Sequence, residues 1–304
     1  MEHPHLLHIF SPTKYVSPFD INMAYEARFD DVIPYCNVTL EEVHGLVQDT
    51  IFSRSPAGVR RTGIFIGGRE FDLALTMLDA ARKAMVPPFE VSVMADPSGA
   101  ITTAAAMVAL VAHALPGGAA HSLAGRQVCI FGGTGPVGMC VALLAARAGA
   151  GVALVSHQGA GAAQLIADRL GRRHDISLRG VDGSSPAAIA RWLPGMQVLF
   201  SAAKAGVQVI DADLLQSAVA LEVIADANAV PPSGVAGVGV NDKRRTLATA
   251  PGRHAAAIGA LTIGDIKYRV HTALLTRMLS TEKPIYVAYE EAYACACDIA
   301  LERA

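Results

Sequence analysis

The fold is decided by the stretch RQVCIFGGTGPVG, residues 126–138. Its apolar first half predicts a buried strand over 126–131, and its glycines predict a tight turn directly after that strand. The residues that follow predict a helix over 139–148 and a second strand over 151–155. Strand, turn, helix and strand in this order form the unit of a parallel α/β sheet.

Three glycines of the turn have the spacing G-x-G-x-x-G, which in this context binds a dinucleotide diphosphate. We expect Gly133 to allow the tight turn, Gly135 to let the backbone approach the diphosphate, and Gly138 to let the helix pack close to the strand. The helix N-terminus then offers N–H groups to the phosphates. A tight turn without any ligand remains the alternative. The cofactor-binding candidates of the turn are Gly133, Thr134, Gly135, Pro136, Val137 and Gly138.

The residues after the second strand usually distinguish NAD from NADP. This chain has Ser156-His157-Gln158 there and no acidic residue. The serine and glutamine side chains can hydrogen-bond either a ribose hydroxyl or a phosphate, and the histidine can add positive charge. We therefore expect both NAD and NADP to be used, with an ordinary polar loop as the alternative.

Further strands of the same domain are predicted downstream of a helix over 160–172. The run 198–203 resembles the fourth strand of a nucleotide-binding domain, and 222–226 resembles the fifth. Because the carboxyl end of the fourth strand lies beside the cofactor in such domains, we add Ala202 and Lys204 to the cofactor-binding candidates. A solvated loop lysine is the alternative for Lys204.

The first third of the chain also shows α/β patterning. A buried strand is predicted over 62–68, a helix over 71–85 and another strand over 89–94. A helix that opens at Thr102-Thr103 and runs to about Leu115 would connect two domains. The predicted domains are an N-terminal α/β substrate domain (1–115, completed by the C-terminal helix 280–304) and a Rossmann-type NAD(P)-binding domain (116–279). We expect the active site in the cleft between them.

Composition excludes several classes of protein. Apolar residues make up 52% of the chain, charged residues 17%, and the net charge is −2. These values exclude a disordered chain and give no electrostatic sign of a nucleic-acid or membrane partner. The N-terminus lacks a signal-peptide pattern, and the longest apolar run, 104–115, is too short to span a bilayer. The five cysteines are scattered and show no metal-ligand spacing, so we expect a cytoplasmic protein without a metal. We also expect a homo-oligomer.

Several motifs lie outside the generic nucleotide-binding pattern: GAITTAAA at 99–106, FGGTGPVGMCV at 131–141 and DANAVPPSG at 226–234. With Ser17–Asp20 and 258–267 they resemble the NAD(P)-dependent methylene-tetrahydromethanopterin dehydrogenases of one-carbon metabolism, over about residues 6–300. The resemblance implies oxidation of the methylene substrate to its methenyl form, in formaldehyde oxidation, with direct hydride transfer to NAD⁺ or NADP⁺. NADP-specific members carry an arginine after the second strand, where this chain has Ser156-His157-Gln158. The resemblance therefore also favours use of both cofactors.

Oxidation of an N–CH₂–N carbon requires no general base, because the two nitrogens stabilise the cation that forms. The protein must instead hold the donor carbon within roughly 3–3.5 Å of the nicotinamide and exclude water. Asp20 is the first candidate for substrate contact and catalysis, with a helix N-cap as the alternative. Lys267, expected at a helix start after Gly264-Asp265, is the second, with a solvated lysine as the alternative. Thr102 and Thr103 are substrate candidates through free N–H groups, with ordinary capping as the alternative.

Other functions also fit the pattern. One is a methylene-tetrahydrofolate dehydrogenase. Another is a shikimate-type dehydrogenase, although no clear lysine–aspartate pair for proton transfer is visible in the N-terminal domain. A dinucleotide sensor without catalytic activity is the third. It explains the missing acid–base residues but not the additional motifs.

Overall fold

The computed structural model describes residues 3–116 and 123–301, which form two compact units. The first unit comprises Met1–Thr102 and Tyr268–Cys295, and the second comprises Thr103–Lys267 and Ala296–Ala304. The three divisions, at 102/103, 267/268 and 295/296, all fall inside helices. The domain boundaries expected from the sequence, 115/116 and 279/280, remain a prediction, as does the cleft between the domains.

The elements follow one another in chain order. They are β1 (Leu6–Phe10), α1 (Pro18–Glu26), β2 (Asp31–Tyr35), α2 (Val43–Phe52), α3 (Pro56–Val59), β3 (Thr62–Ile66), α4 (Phe71–Lys83), β4 (Ser92–Ala95), α5 (Ala100–Ala114), β5 (Gln127–Phe131), α6 (Pro136–Arg147), β6 (Gly151–Ser156), α7 (Ala160–His174), β7 (Leu178–Asp182), α8 (Pro186–Ala190), β8 (Val198–Ser201), α9 (Ala212–Ser217), β9 (Val223–Asp226), β10 (Lys243–Ala248), β11 (His254–Ile258), α10 (Ala260–Ser280), β12 (Tyr286–Val287) and α11 (Tyr289–Leu301).

The first unit contains a five-stranded parallel sheet. Its order is β2-β1-β3-β4-β12, which is 2-1-3-4-5 in the order of the chain. β3 and β4 are buried at every position, as expected for central strands that helices cover on both faces. The chain changes direction across the sheet between β1 and β3. Ligands of such sheets bind beyond the carboxyl ends of the strands at this point.

The second unit contains a seven-stranded sheet in the order β7-β6-β5-β8-β9-β11-β10. Its first six strands are parallel and have the 3-2-1-4-5-6 order of the Rossmann fold, while β10 pairs antiparallel at the edge. Side chains of its strands, among them Leu199 of β8 and Ile224 of β9, form a buried apolar cluster with Leu193. The α/β fold class and the Rossmann-type sheet expected from the sequence are confirmed.

The sequence patterns placed three helix starts too late, and α6 begins at Pro136 rather than at the expected residue 139. They also missed six strands: β1, β2, β7, β10, β11 and β12. Three of them are difficult to recognise, because β7 and β10 are edge strands with charged residues and β12 has two residues. α5 begins at Ala100, two residues before the expected Thr102, after a short 3₁₀ turn at Pro97–Gly99. α10 begins at Ala260, so that Gly264 and Asp265 lie inside the helix rather than at its start.

The helical segment Pro97–Ala114 is longer than the apolar run 104–115 seen in the sequence. Its 18 residues have a mean hydropathy of 1.3, which is long and apolar enough to cross a bilayer by length and composition. The helical segment that contains this run therefore passes a test of length and composition that the run alone does not pass. Since 72% of the segment is buried within the protein, it has the burial of a core helix.

Candidate functional site

A cavity lies at the carboxyl edge of the second sheet, where the chain order reverses between β5 and β8. It has a volume of about 710 Å³ and is called the nucleotide pocket below. Five of the residues expected to bind the cofactor line it: Thr134, Gly135, His157, Ala202 and Lys204. This position is where doubly wound sheets bind their ligands.

The glycine turn is built differently from the expectation at one position. The left-handed backbone that the turn requires belongs to Gly132 (φ +71°), not to Gly133. A side chain at Gly132 would also overlap the backbone of Ala202. Gly138 does permit close packing, because a Cβ there would overlap the carbonyl oxygen of Gly132.

Gly135 differs from its neighbours because nothing in the protein crowds it. A Cβ at this position would meet one atom, the carbonyl oxygen of Gly132, at 3.4 Å. Gly135 is the N-cap of α6 and Pro136 occupies the first helical turn. The amide groups of Val137 and Gly138 therefore belong to the first turn of a helix, where N–H groups lack a partner within the helix. This geometry suits an anionic group placed over Gly135.

The three residues after β6 have different roles in the structure. His157 lines the nucleotide pocket, whereas Ser156 and Gln158 do not. Ser156 is buried, and its Oγ accepts a hydrogen bond from the amide of Gln158 at 3.1 Å. Among these three side chains, His157 is therefore the one placed to meet a cofactor. Gly133, Pro136, Val137 and Gly138 form the turn beneath the pocket and do not line it.

Two loops that the sequence patterns missed also line the nucleotide pocket: residues 183–186 after β7 and residues 207–209 after β8. The first was missed together with its strand, although Ser185-Pro186 is a helix-start signal and Ser185 does cap α8. Asp182 at the end of β7 accepts a hydrogen bond from the amide of Ser184 at 2.9 Å. The hydrogen bonds from the side chain and backbone of Ser184 lower the pKa of Asp182, so this carboxylate is ionised at neutral pH.

The motif at 226–234 organises the loop after β9. The buried carboxylate of Asp226 accepts hydrogen bonds from the amides of Asn228 (3.1 Å) and Val235 (3.0 Å). The side-chain oxygen of Asn228 accepts from the amides of Val230 and Gly206. The loops after β8 and β9 are thereby held together at the carboxyl edge of the sheet.

Asp20 lies at the carboxyl edge of the first sheet. It is 3% exposed, and a side-chain carbon placed on Gly67 would lie 3.3 Å from its Oδ2 atom. Gly67 directly follows β3, and its amide donates to Phe10 at the end of β1. Asp20 therefore lies beside the point where the strand order of this sheet reverses. The alternative that it caps a helix is wrong, because Ser17 is the N-cap of α1.

A buried network surrounds Asp96 at the end of β4. Its carboxylate accepts hydrogen bonds from the amides of Ile101 (2.8 Å) and Thr102 (3.2 Å) and from the hydroxyl of Thr102 (2.6 Å). The amide of Thr102 is therefore not free for a substrate, contrary to the expectation. His271 of α10, which the sequence patterns left without a role, contacts the same carboxylate through Nδ1 at 3.0 Å. Asp96, Thr102 and His271 are all fully buried.

The remaining candidates lie on helices. Lys267 is half-buried in the third turn of α10, and Thr103 is half-buried near the start of α5. Their contact with substrate remains a prediction. Among residues 3–116 and 123–301, no three His, Cys, Asp or Glu side chains are grouped so that they could hold a metal ion.

Comparison with known proteins identifies the family of this chain. Residues 18–98 match the N-terminal domain model of methylene-tetrahydromethanopterin dehydrogenase. A relative from Methylorubrum extorquens, named NAD(P)-dependent methylenetetrahydromethanopterin dehydrogenase, is 43% identical over 97% of this chain and 98% of its own length. This chain belongs to the methylene-tetrahydromethanopterin dehydrogenase family. The resemblance expected from the sequence motifs is confirmed.

Two further matches place this family member among its neighbours. The bifunctional protein MdtA of the same organism is 33% identical over 97% of this chain and 99% of its own length. Shikimate 5-dehydrogenase from Listeria monocytogenes, crystallised with shikimate and NAD, covers 93% of this chain and 94% of its own with a TM-score of 0.51. At 12% identity, this second likeness shows the fold alone.

Proposed function

We propose that this chain oxidises methylene-tetrahydromethanopterin to the methenyl form and passes the hydride to NAD⁺ or NADP⁺. The observation that carries the proposal is the 43% identity, over nearly the whole of both chains, to a relative whose name states this activity. The family model supports the substrate side, since the residues that it matches include Asp20 and Asp96 at the carboxyl edge of the first sheet.

The nucleotide pocket fits a dinucleotide. Its turn leaves the space above Gly135 open, and the first turn of α6 directs amide groups toward that space. In the proposal, Thr134 and Gly135 face the diphosphate, His157 meets the adenosine end, and Ala202 and Lys204 lie near the nicotinamide end. When bound, the nicotinamide supplies the hydride acceptor. Because His157 is the one side chain of 156–158 that lines the pocket, we infer weak discrimination between the two cofactors.

The substrate side depends on charge and position. Asp20 is a buried carboxylate beside β1 and β3, where it can accept hydrogen bonds from pterin N–H groups and offset the positive charge that develops on the oxidised carbon. Lys267 is the second proposed substrate contact, through a substrate carbonyl or phosphate. Thr102 contributes by holding Asp96 and the start of α5, and Thr103 keeps its proposed place near the substrate.

The test is a turnover screen with the full-length protein. Methylene-tetrahydromethanopterin with NAD⁺ or NADP⁺ is expected to give the absorbance of reduced nicotinamide, while methylene-tetrahydrofolate and shikimate give much slower turnover or none. Reduction with shikimate alone would contradict the proposal. Nucleotide binding by calorimetry without turnover on any reduced pterin would instead identify a dinucleotide sensor.

Location and assembly belong to the same proposal. All five cysteines are free thiols, as in proteins of a reducing compartment, and we propose a cytoplasmic enzyme. We also propose a homo-oligomer without nucleic-acid or membrane partners. Light scattering on the purified protein measures the oligomeric state. Binding assays with nucleic acid and with lipid vesicles test for those two kinds of partner.

A further inference from the structure

The second unit contains another cavity, beside its antiparallel edge strand. It has a volume of about 620 Å³, within the range of small-molecule sites, and shares no lining residue with the nucleotide pocket. We call it the β10 cavity. Nothing in the proposed reaction uses it.

The floor of the β10 cavity is apolar. It is formed by side chains from four different elements: Leu110 of α5, Ile258 of β11, Leu261 and Ile266 of α10, and Ala300 of α11. Leu261 is 54% exposed, so it presents apolar surface to water at the cavity. An apolar group placed on this floor would remove such surface from water.

The rim of the β10 cavity carries two successive cations, Lys243 and Arg244. In a regular strand, successive side chains point to opposite faces. Here the pairing with β11 passes from Lys243 to Arg245, so that Arg244 is the extra residue of a bulge, with φ of +65°. An arginine rarely adopts this left-handed backbone. The bulge allows both cations to line one cavity.

Neither cation is neutralised within the described part of the chain. The guanidinium of Arg244 donates to the carbonyl oxygen of His113 at 2.7 Å, which leaves its other N–H groups available. Lys243 makes no side-chain hydrogen bond or ion pair with a described residue. The next residue, Arg245, shows the contrast, because it forms an ion pair with Asp242 at 2.7 Å. One carboxylate, Asp265, also lines the cavity, and the two cations exceed it in charge.

We propose that the β10 cavity binds a small organic anion, with an apolar ring or chain on the floor and a carboxylate or phosphate between Lys243 and Arg244. The apolar part of such a ligand would displace water from Leu261 and its neighbours. Its anionic group would accept charge-assisted hydrogen bonds from the two cations. The site is separate from the proposed dehydrogenase reaction. A protein that lacks the proposed activity would still bind such an anion here.

The first test uses anilinonaphthalene sulfonate, a probe with an apolar ring body and one anionic group, whose fluorescence rises in apolar sites. Lys243→Gln is expected to weaken its binding about tenfold, which corresponds to about 1.4 kcal/mol of lost attraction. The matched control is Lys283→Gln, an exposed lysine of the first unit, which leaves binding unchanged. Leu261→Glu, which places a carboxylate on the floor, abolishes it. Thermal unfolding verifies that each variant is folded.

The second test displaces the probe with phenyl phosphate, benzoate or uncharged benzyl alcohol. Displacement by either anion, but not by the alcohol, supports the proposal and identifies the preferred anionic group. Probe bound in the nucleotide pocket would be insensitive to Lys243→Gln. Equal affinity in the wild type and in Lys243→Gln, or displacement by the alcohol as effective as by the anions, overturns the proposal.

Discussion

Gly135 and Gly138 lie in the same turn, yet the structure assigns them different constraints. A Cβ at Gly138 would overlap backbone, whereas a Cβ at Gly135 would make an ordinary contact at 3.4 Å. We predict that Gly138→Ala destabilises the protein by about 2–3 kcal/mol, because the helix must move away from the turn. We predict that Gly135→Ala changes stability by less than about 1 kcal/mol.

The same pair separates folding from cofactor binding. In Gly135→Ala the new methyl group occupies the space proposed for the diphosphate, so the Kd for NADP⁺ should rise by about tenfold or more. Thermal unfolding and calorimetric titration measure the two properties. An unchanged Kd in a folded Gly135→Ala protein would place the cofactor elsewhere.

A substitution of Asp20 tests the proposed contact with substrate. Asp20→Asn keeps the shape of the side chain and removes its charge, so kcat/KM for the methylene substrate should fall by about tenfold or more while NADP⁺ affinity stays within about twofold. Asp79→Asn, at an exposed position of α4, is the matched control. A parallel fall in cofactor affinity would show that Asp20 acts through the fold rather than through the substrate.

At the scale of the element, α5 depends on Asp96. This buried carboxylate accepts hydrogen bonds from Ile101 and Thr102 and contacts His271, so that it joins the ends of β4 and α5 to α10. We predict that Asp96→Ala destabilises the first unit by about 3–5 kcal/mol, because a buried network loses its shared acceptor. Urea unfolding measures the effect. Asp96→Asn, which retains one acceptor oxygen, should lose less, and equal midpoints for all three proteins would contradict the role.

The elements also show what sequence patterns reach and what they miss. β3, β5 and β9 were predicted because central strands are continuous apolar runs bounded by turn residues. β10 was missed because the sequence Lys243–Ala248 is charged, as exposed edge strands often are. Its bulge depends on pairing with β11, which lies several residues downstream and leaves no local signal.

Sequence patterns likewise locate some residues of the candidate site and miss others. The glycine spacing located the nucleotide pocket, because the turn, the strand and the helix are local in sequence. The Asp96–His271 contact joins residues 175 positions apart, so no local pattern reveals it. Ser156 was expected to face a cofactor, but a hydrogen bond to the amide two residues later holds it in the turn. Which side of a polar loop faces a ligand depends on such contacts.

At the scale of the whole molecule, the cysteines report on unfolding. Cys36 is exposed, whereas Cys129 and Cys140 are buried, and burial raises the pKa of the Cys129 thiol far above its usual range. Because the thiolate is the reactive form, we predict that an alkylating reagent modifies Cys36 rapidly in the native protein. Cys129 and Cys140 should react only at the rate of unfolding. Peptide mass spectrometry over time measures each site, and rapid native labelling of Cys129 would contradict the packing of the second sheet.

The first sheet takes its last strand, β12, from residues 286–287, almost two hundred positions after β4, the strand with which it pairs. A nascent chain leaving the ribosome therefore exposes the outer edge of β4 throughout synthesis of the entire second sheet. All strands of the second sheet can therefore be paired while the first sheet still lacks its last strand. This order is the reverse of the usual one, in which the amino-terminal part of a chain folds first.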